Sequence, residues 1–147
     1  MRWALAETTN QFHSWKLESG EFTAELKYNK KAHSFRITAG DKRLFFIERT
    51  GLLQNKFLIR TEYSVITGEI YPVRNWHSGI IIWDNKKHNY LVNENLLILS
   101  SKKVDFSVAI EMNDMDNTNQ EEFFALLFGT LRAMAKTYKV KIKPVIA

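Results

Sequence analysis

The basic residues of this chain come in clusters: Lys27 with Lys30 and Lys31, Lys42 with Arg43, Lys86 with Lys87, Lys102 with Lys103, and a tail that alternates Lys with Val and Ile over 139–143. The first four clusters fall near turn signals. If turns converge on one rim of a barrel, ammonium and guanidinium groups there can hold the phosphate of a lipid headgroup. Lys42, Arg43, Lys86 and Lys87 are therefore the candidate anion-binding residues. The plainer role of Lys at a turn is solvation. The alternating tail reads as a last edge strand whose lysines oppose aggregation, with skimming of a membrane surface as the alternative.

Other chemistry has less to build on. His13, His33, His77 and His88 are scattered through separate strands or turns, as surface or strand-end residues would be. The segment 114–120 opens like a Ca²⁺ loop, but a loop counted from Asp114 puts Asn119 where Gly belongs and Ala125 where Glu belongs, so the match fails. Glu48, Glu62 and Glu69 lie near Arg43, Arg49 and Arg60, and cross-strand ion pairing is their expected fate. The sequence has no nucleophile elbow, phosphate-binding glycine loop or zinc-protease helix. No catalytic residue, metal ligand or cofactor is assigned, and a non-catalytic protein is expected. Aromatics do not interleave with the bases as RNA-binding sheets require, which places nucleic acid low among partners.

The 147 residues have the length of one domain, 1–147, with 45% hydrophobic and 25% charged residues and a net charge of +5. The basic excess permits anionic partners without demanding them. The absence of Cys fits a reducing compartment, and a cytoplasmic protein is expected. The opening apolar run is too short for a signal peptide, and no window of about 20 apolar residues exists to span a membrane.

Turn signals recur at Ser19-Gly20, Asn29-Lys30, Gly40-Asp41, Gly51, Gly68, Asp84-Asn85 and Asn93-Glu94. Between them lie β-branched and aromatic runs, the spacing of an antiparallel sandwich or barrel. About ten strands are expected, near 11–18, 21–28, 32–38, 43–49, 55–61, 63–70, 78–84, 87–93, 96–102 and 105–111, with room for another at each terminus. Phe106, Val108 and Ile110 alternate with Asp105, Ser107 and Glu111, as a half-buried strand requires.

One segment breaks the β pattern. Residues 118–138 read as a helix, opened by a capping box of Thr118 and Glu121. Acids crowd its start and bases its end, which complements the helix dipole. For three turns it is apolar on every side. Burying six large side chains there contributes on the order of 9–18 kcal/mol before entropy, comparable to a whole domain's stability. Such a helix must be enclosed. With no other helix to cover it, about 10–12 strands are expected to close around it, as eleven-stranded cans do. Small residues at 125 and 129 would let the wall pass close. Burial in a dimer across an open sheet, or insertion into a larger partner, would also satisfy the pattern.

Three segments carry a resemblance: "FRITAGDKRLFFIERTG" at 35–51, the meander from Ser64 to Val92, and 104–138, where an alternating strand, an acidic loop and the helix follow one another. Their order resembles the tubby C-terminal-like superfamily, which includes tubby domains, LURP-one-related proteins and phospholipid scramblases. The likeness is one of architecture, and no family residue is carried over. It implies a non-enzymatic barrel around a C-terminal helix, often linked to membranes or phosphoinositides. The expected function is a binding module for anionic phospholipid headgroups at a membrane surface. The alternative is an intracellular protein-interaction or scaffold domain without a lipid role.

Overall fold

The computed structural model describes residues 1–19, 23–38, 42–53, 55–73, 75–101, 106–112 and 118–142. Eleven strands precede one helix: β1 (Arg2–Thr8), β2 (Phe12–Glu18), β3 (Ala24–Asn29), β4 (Ser34–Thr38), β5 (Lys42–Thr50), β6 (Lys56–Thr61), β7 (Ile66–Val73), β8 (Ser78–Trp83), β9 (Lys86–Asn93), β10 (Leu96–Ser101), β11 (Phe106–Met112) and α1 (Gln120–Ile142). Each strand pairs with its neighbour in sequence, and β1 meets β11 to close a barrel. Of the terminal strands left open by the sequence, the N-terminal one forms. The wall is antiparallel except at its seam, where Arg2 faces Glu111 and Trp3 faces Met112 in parallel register. The exception follows from an odd number of up-and-down strands, whose first and last run the same way.

Alternation puts one row of each strand inside. On β3, Ala24, Leu26 and Tyr28 are buried while Glu25 and Lys27 are exposed. The interior is filled by α1, whose residues Phe123 to Phe128 have no exposed surface at all. Each helix face meets its own sector of wall. Phe128 packs against the rings of Phe35, Phe45 and Trp83, and Phe124 against Phe57 and Tyr90. Phe123 meets Trp76 and Tyr90. Gly129 faces Leu26 and Ile37, the close passage that small residues on that side allow. Thr130, a polar group within the buried turns, accepts the Trp3 indole N–H at 2.8 Å and donates to the Leu126 carbonyl at 2.8 Å.

These contacts set the polarity of the barrel. The helix enters beside His13 and Trp76 and runs toward Trp3 and Trp83. We call the first end the entry rim. The far rim is formed by the ends of β2, β4, β6, β8 and β10 and the starts of β3, β5, β7, β9 and β11.

Three local expectations change. Residues 63–65 form a turn, and β7 begins at Ile66. The Thr61 hydroxyl accepts the Tyr63 and Val65 amides at 3.2 and 3.3 Å, and Ser64 takes φ 63°, so local bonding overrides strand propensity. The helix cap is Asn119, whose Oδ1 accepts the Glu122 amide at 2.7 Å; Asn outranks Thr at this position. The tail is not an edge strand up to Ile142: the helix continues through it. Extension is cheap once a helix is nucleated.

The enclosure is testable at Gly129. A Cβ there would sit 2.9 Å from Ile37 Cδ1 and 3.1 Å from Leu26 Cδ1. Leucine is the better helix former by about 1 kcal/mol, yet Gly129→Leu is expected to destabilise the fold by about 1–3 kcal/mol through overpacking. Urea unfolding measures this, and a raised midpoint would mean that the wall does not press on this side of the helix.

Candidate anion-binding face

Lys42, Arg43, Lys86 and Lys87 all lie at the far rim, because β5 and β9 both start there. Strand alternation then splits each pair. Lys42 points outward, whereas Arg43 shares the inner row with Phe45 and lies 5.8 Å from the centre of its ring. The Arg43 Nε donates to Glu62 at 3.2 Å, and the same carboxylate accepts the Leu44 amide at 3.2 Å. Lys86 shares the inner row with His88 and Tyr90, and Lys87 points outward. The two pairs are separated by β6, β7 and β8. Lys102 and Lys103 lie outside the described residues. Lys30 and Lys31 are at the entry rim, where the Lys30 ammonium donates to the Thr9 carbonyl at 3.4 Å.

A second basic feature runs along the outer wall. A groove of about 780 Å³ crosses β2 to β5 and is lined by Lys16, Lys27, Arg36 and Lys42, with the acids Glu7 and Glu25, among others. Register explains its composition. Ser14, Lys27, Arg36 and Leu44 form one outward row, each facing the next across the strands, and Lys16, Glu25, Thr38 and Lys42 form the adjacent row. Lys16 and Glu25 pair at 3.9 Å. The Lys27 ammonium lies 4.4 Å from the centre of the Phe12 ring. Lys27 and Arg36 are directly opposed, a like-charge juxtaposition that destabilises a sheet. Among the described residues neither has a carboxylate partner, nor has Lys42. Sequence clustering found Lys42 but not Arg36, which stands alone in sequence; only strand pairing joins it to Lys27.

The other expected pairs form in part. Arg60 bonds Glu48 at 2.9 Å as anticipated. Glu69 instead pairs with Lys56 at 3.4 Å, and Arg49 bonds Gln120 at 2.7 Å, tying β5 to the first turn of α1.

The histidines divide. His33 and His77 are exposed, but His13 and His88 are buried, against expectation. His13 lies in the inner row of β2, so its Nδ1 reaches the Glu122 carboxylate at 2.7 and 3.0 Å. The Trp15 indole donates to the same carboxylate at 2.6 Å. Glu122 is thus not a solvated acid at a helix start; it is a buried acceptor that fixes the depth and rotation of α1. Burial lowers the His88 pKa, and the Lys86 charge lowers it further. Burial pushes the Tyr28 hydroxyl up to about 12. Among the described residues no group of three His, Asp or Glu side chains is placed to hold a metal ion.

No family model matches the chain, nor does any curated protein or solved structure.

Glu122→Ala is expected to remove about 3–5 kcal/mol of stability in urea unfolding, because His13 and Trp15 lose their common acceptor in the interior. A loss below about 1 kcal/mol would assign the carboxylate no structural role. His88 makes a separate, pH-dependent contribution. Its folded pKa is depressed, so below the ordinary value near 6.5 the unfolded chain binds more protons than the folded one. The stability held by neutral His88 is complete above that pH and declines as pH falls toward the folded pKa. His88→Asn is expected to flatten this part of the stability profile; an unchanged profile would place His88 in contact with solvent.

Proposed function

We propose that this protein is a non-catalytic binding module for phosphate-bearing anions, including the headgroups of anionic phospholipids, and that the groove over β2 to β5 is its site. The observation that carries this reading is the opposition of Lys27 and Arg36, with Lys42 beside them: among the described residues none of the three is ion-paired, and of the carboxylates that line the groove, Glu7 and Glu25, the latter pairs with Lys16. A sheet gains nothing from such a juxtaposition. A phosphate does, since it accepts charge-assisted hydrogen bonds from guanidinium and ammonium together. Support for a binding role in place of catalysis comes from the interior: small barrels that process or carry a ligand hold it inside, and here α1 occupies that space.

What supports kinship with the tubby C-terminal-like superfamily is the order of parts, eleven up-and-down strands followed by a helix that fills the barrel. A protein-interaction role without lipid draws on a different observation, the β5–β6 hairpin tip, where Leu52 and Leu53 are exposed.

Lys27→Glu separates binding from stability. It replaces a repulsive cross-strand pair with an attractive one, so the unfolding midpoint should rise, by up to about 1 kcal/mol in stability. Affinity for inorganic pyrophosphate, measured by titration calorimetry at low salt, should fall about tenfold or more, on the usual scale of a lost charge-assisted contact. Leu52→Ser with Leu53→Ser should leave that affinity unchanged. If the wild-type protein ignores pyrophosphate, or binds it unchanged after Lys27→Glu, the groove is not the site.

A further inference from the structure

The β6–β7 turn exposes apolar side chains where a turn ordinarily carries polar ones. Tyr63 is 77% exposed, Val65 58% and Ile66 46%. The turn itself is well held. The Thr61 hydroxyl accepts two of its amides, the Arg60 guanidinium donates to the Ser64 carbonyl at 3.4 Å, and Glu62 is tied to Arg43 and the Leu44 amide. The apolar groups are therefore presented outward by a fixed backbone.

Their neighbours on the far rim are cationic. On one side β5 begins with Lys42; Phe45, three residues further along, already faces Thr61, so Lys42 stands level with the turn. On the other side is the tight turn at Asp84-Asn85, both at positive φ, followed by Lys86 and Lys87. Lys42, Lys86 and Lys87 are all exposed. The described acids of this sector are Asp84, Glu62 and Glu69; Glu62 is already bound to Arg43 and Glu69 to Lys56. An apolar, Tyr-bearing tip with Lys42 on one side and Lys86 and Lys87 on the other is the arrangement that meets an anionic bilayer: cations reach the headgroups while the tip enters the boundary with the acyl chains.

Among the described residues, the apolar tip at the opposite end lacks that arrangement. Leu52 and Leu53 project there, but the cations that flank them in sequence are engaged. Arg49 bonds Gln120 and lies over Phe57, and Lys56 pairs with Glu69. Charge complementarity selects the far rim.

We propose that the far rim docks on anionic membranes, with Tyr63, Val65 and Ile66 inserted and Lys42, Lys86 and Lys87 against the headgroups. This deepens the reading of a phosphate-binding module by naming a membrane surface and an orientation. It shares only Lys42 with the groove.

The chain has no Cys, so Ser64→Cys gives a unique attachment site for an environment-sensitive nitrobenzoxadiazole label, and Leu52→Cys gives its counterpart at the other rim. On phosphatidylserine–phosphatidylcholine vesicles at low salt, the label at position 64 should brighten several-fold and shift to the blue. The label at position 52 should stay as in water. Tyr63→Ser with Val65→Ser should abolish the change, and Lys86→Glu with Lys87→Glu should weaken vesicle binding tenfold or more. Pure phosphatidylcholine should bind poorly. The inference is overturned by absence of vesicle binding, by equal binding to neutral vesicles, by a silent label at 64 on bound protein, or by a response at 52. Pyrophosphate titration uses no membrane, so the groove and the rim can fail independently.

Discussion

The packing of Phe124 and Phe128 against aromatic rings from β4, β5, β6, β8 and β9 is the contact on which the molecule is built. It joins the last element of the chain to strands from its middle, so the barrel cannot be complete until the helix is in place. A closed sheet of this size without a filling would enclose either water or a void, and neither suits an inner wall of Leu, Ile and Phe. A helix apolar on all sides has the converse need. Each element removes the other's exposed surface, and neither has another way to do so within this chain.

Apolar packing alone would not choose one rotation and depth for such a helix, because Leu and Phe tolerate sliding. The buried polar contacts make that choice. Glu122 must meet His13 and Trp15, and eight residues further on Thr130 must meet Trp3. A displacement by one residue would strand a carboxylate and two indole N–H groups in the interior, each at a desolvation penalty of about 1–3 kcal/mol or more. The contacts fall on β1, which closes the barrel against β11, and on its neighbour β2, so helix register and barrel closure are specified together.

The parts that were legible in the sequence are those governed by local pattern. The period-two alternation of β3 and β11, the Asp84-Asn85 turn and the apolar run from Phe123 to Leu131 each contain their own signal. Two apolar residues misled: Tyr63 and Val65 have strand propensity, yet hydroxyl bonding from Thr61 makes them a turn, and their exposure is what gives the far rim its character. The role of Glu122 was hidden because an acid in a first helical turn is already explained by the dipole; nothing local reveals that His13, 109 positions earlier, will lie opposite. The groove was hidden for the same reason. Lys27 and Arg36 become neighbours only through β3–β4 pairing, and Lys42 joins them only because the register of β4 and β5 sets Thr38 against it.

A barrel whose interior is filled by its own helix leaves its outer surface free to depart from what stability favours. The wall from β2 to β5 does so with directly opposed cations, and the far rim does so with an uncovered Tyr and Val. These departures are of different kinds, one electrostatic and one hydrophobic, and they adjoin at Lys42, which lines the groove and also stands level with the β6–β7 turn. A bilayer seated on that rim would therefore present its phosphates to the open end of the groove. Cations on an exposed wall interact with distant anions only within a Debye length of about 8–10 Å at physiological salt. Held near a charged surface by an inserted tip, the same side chains would work inside that distance. On these proposals the apolar turn and the basic wall would share a physical logic: the first would shorten the range over which the second must act.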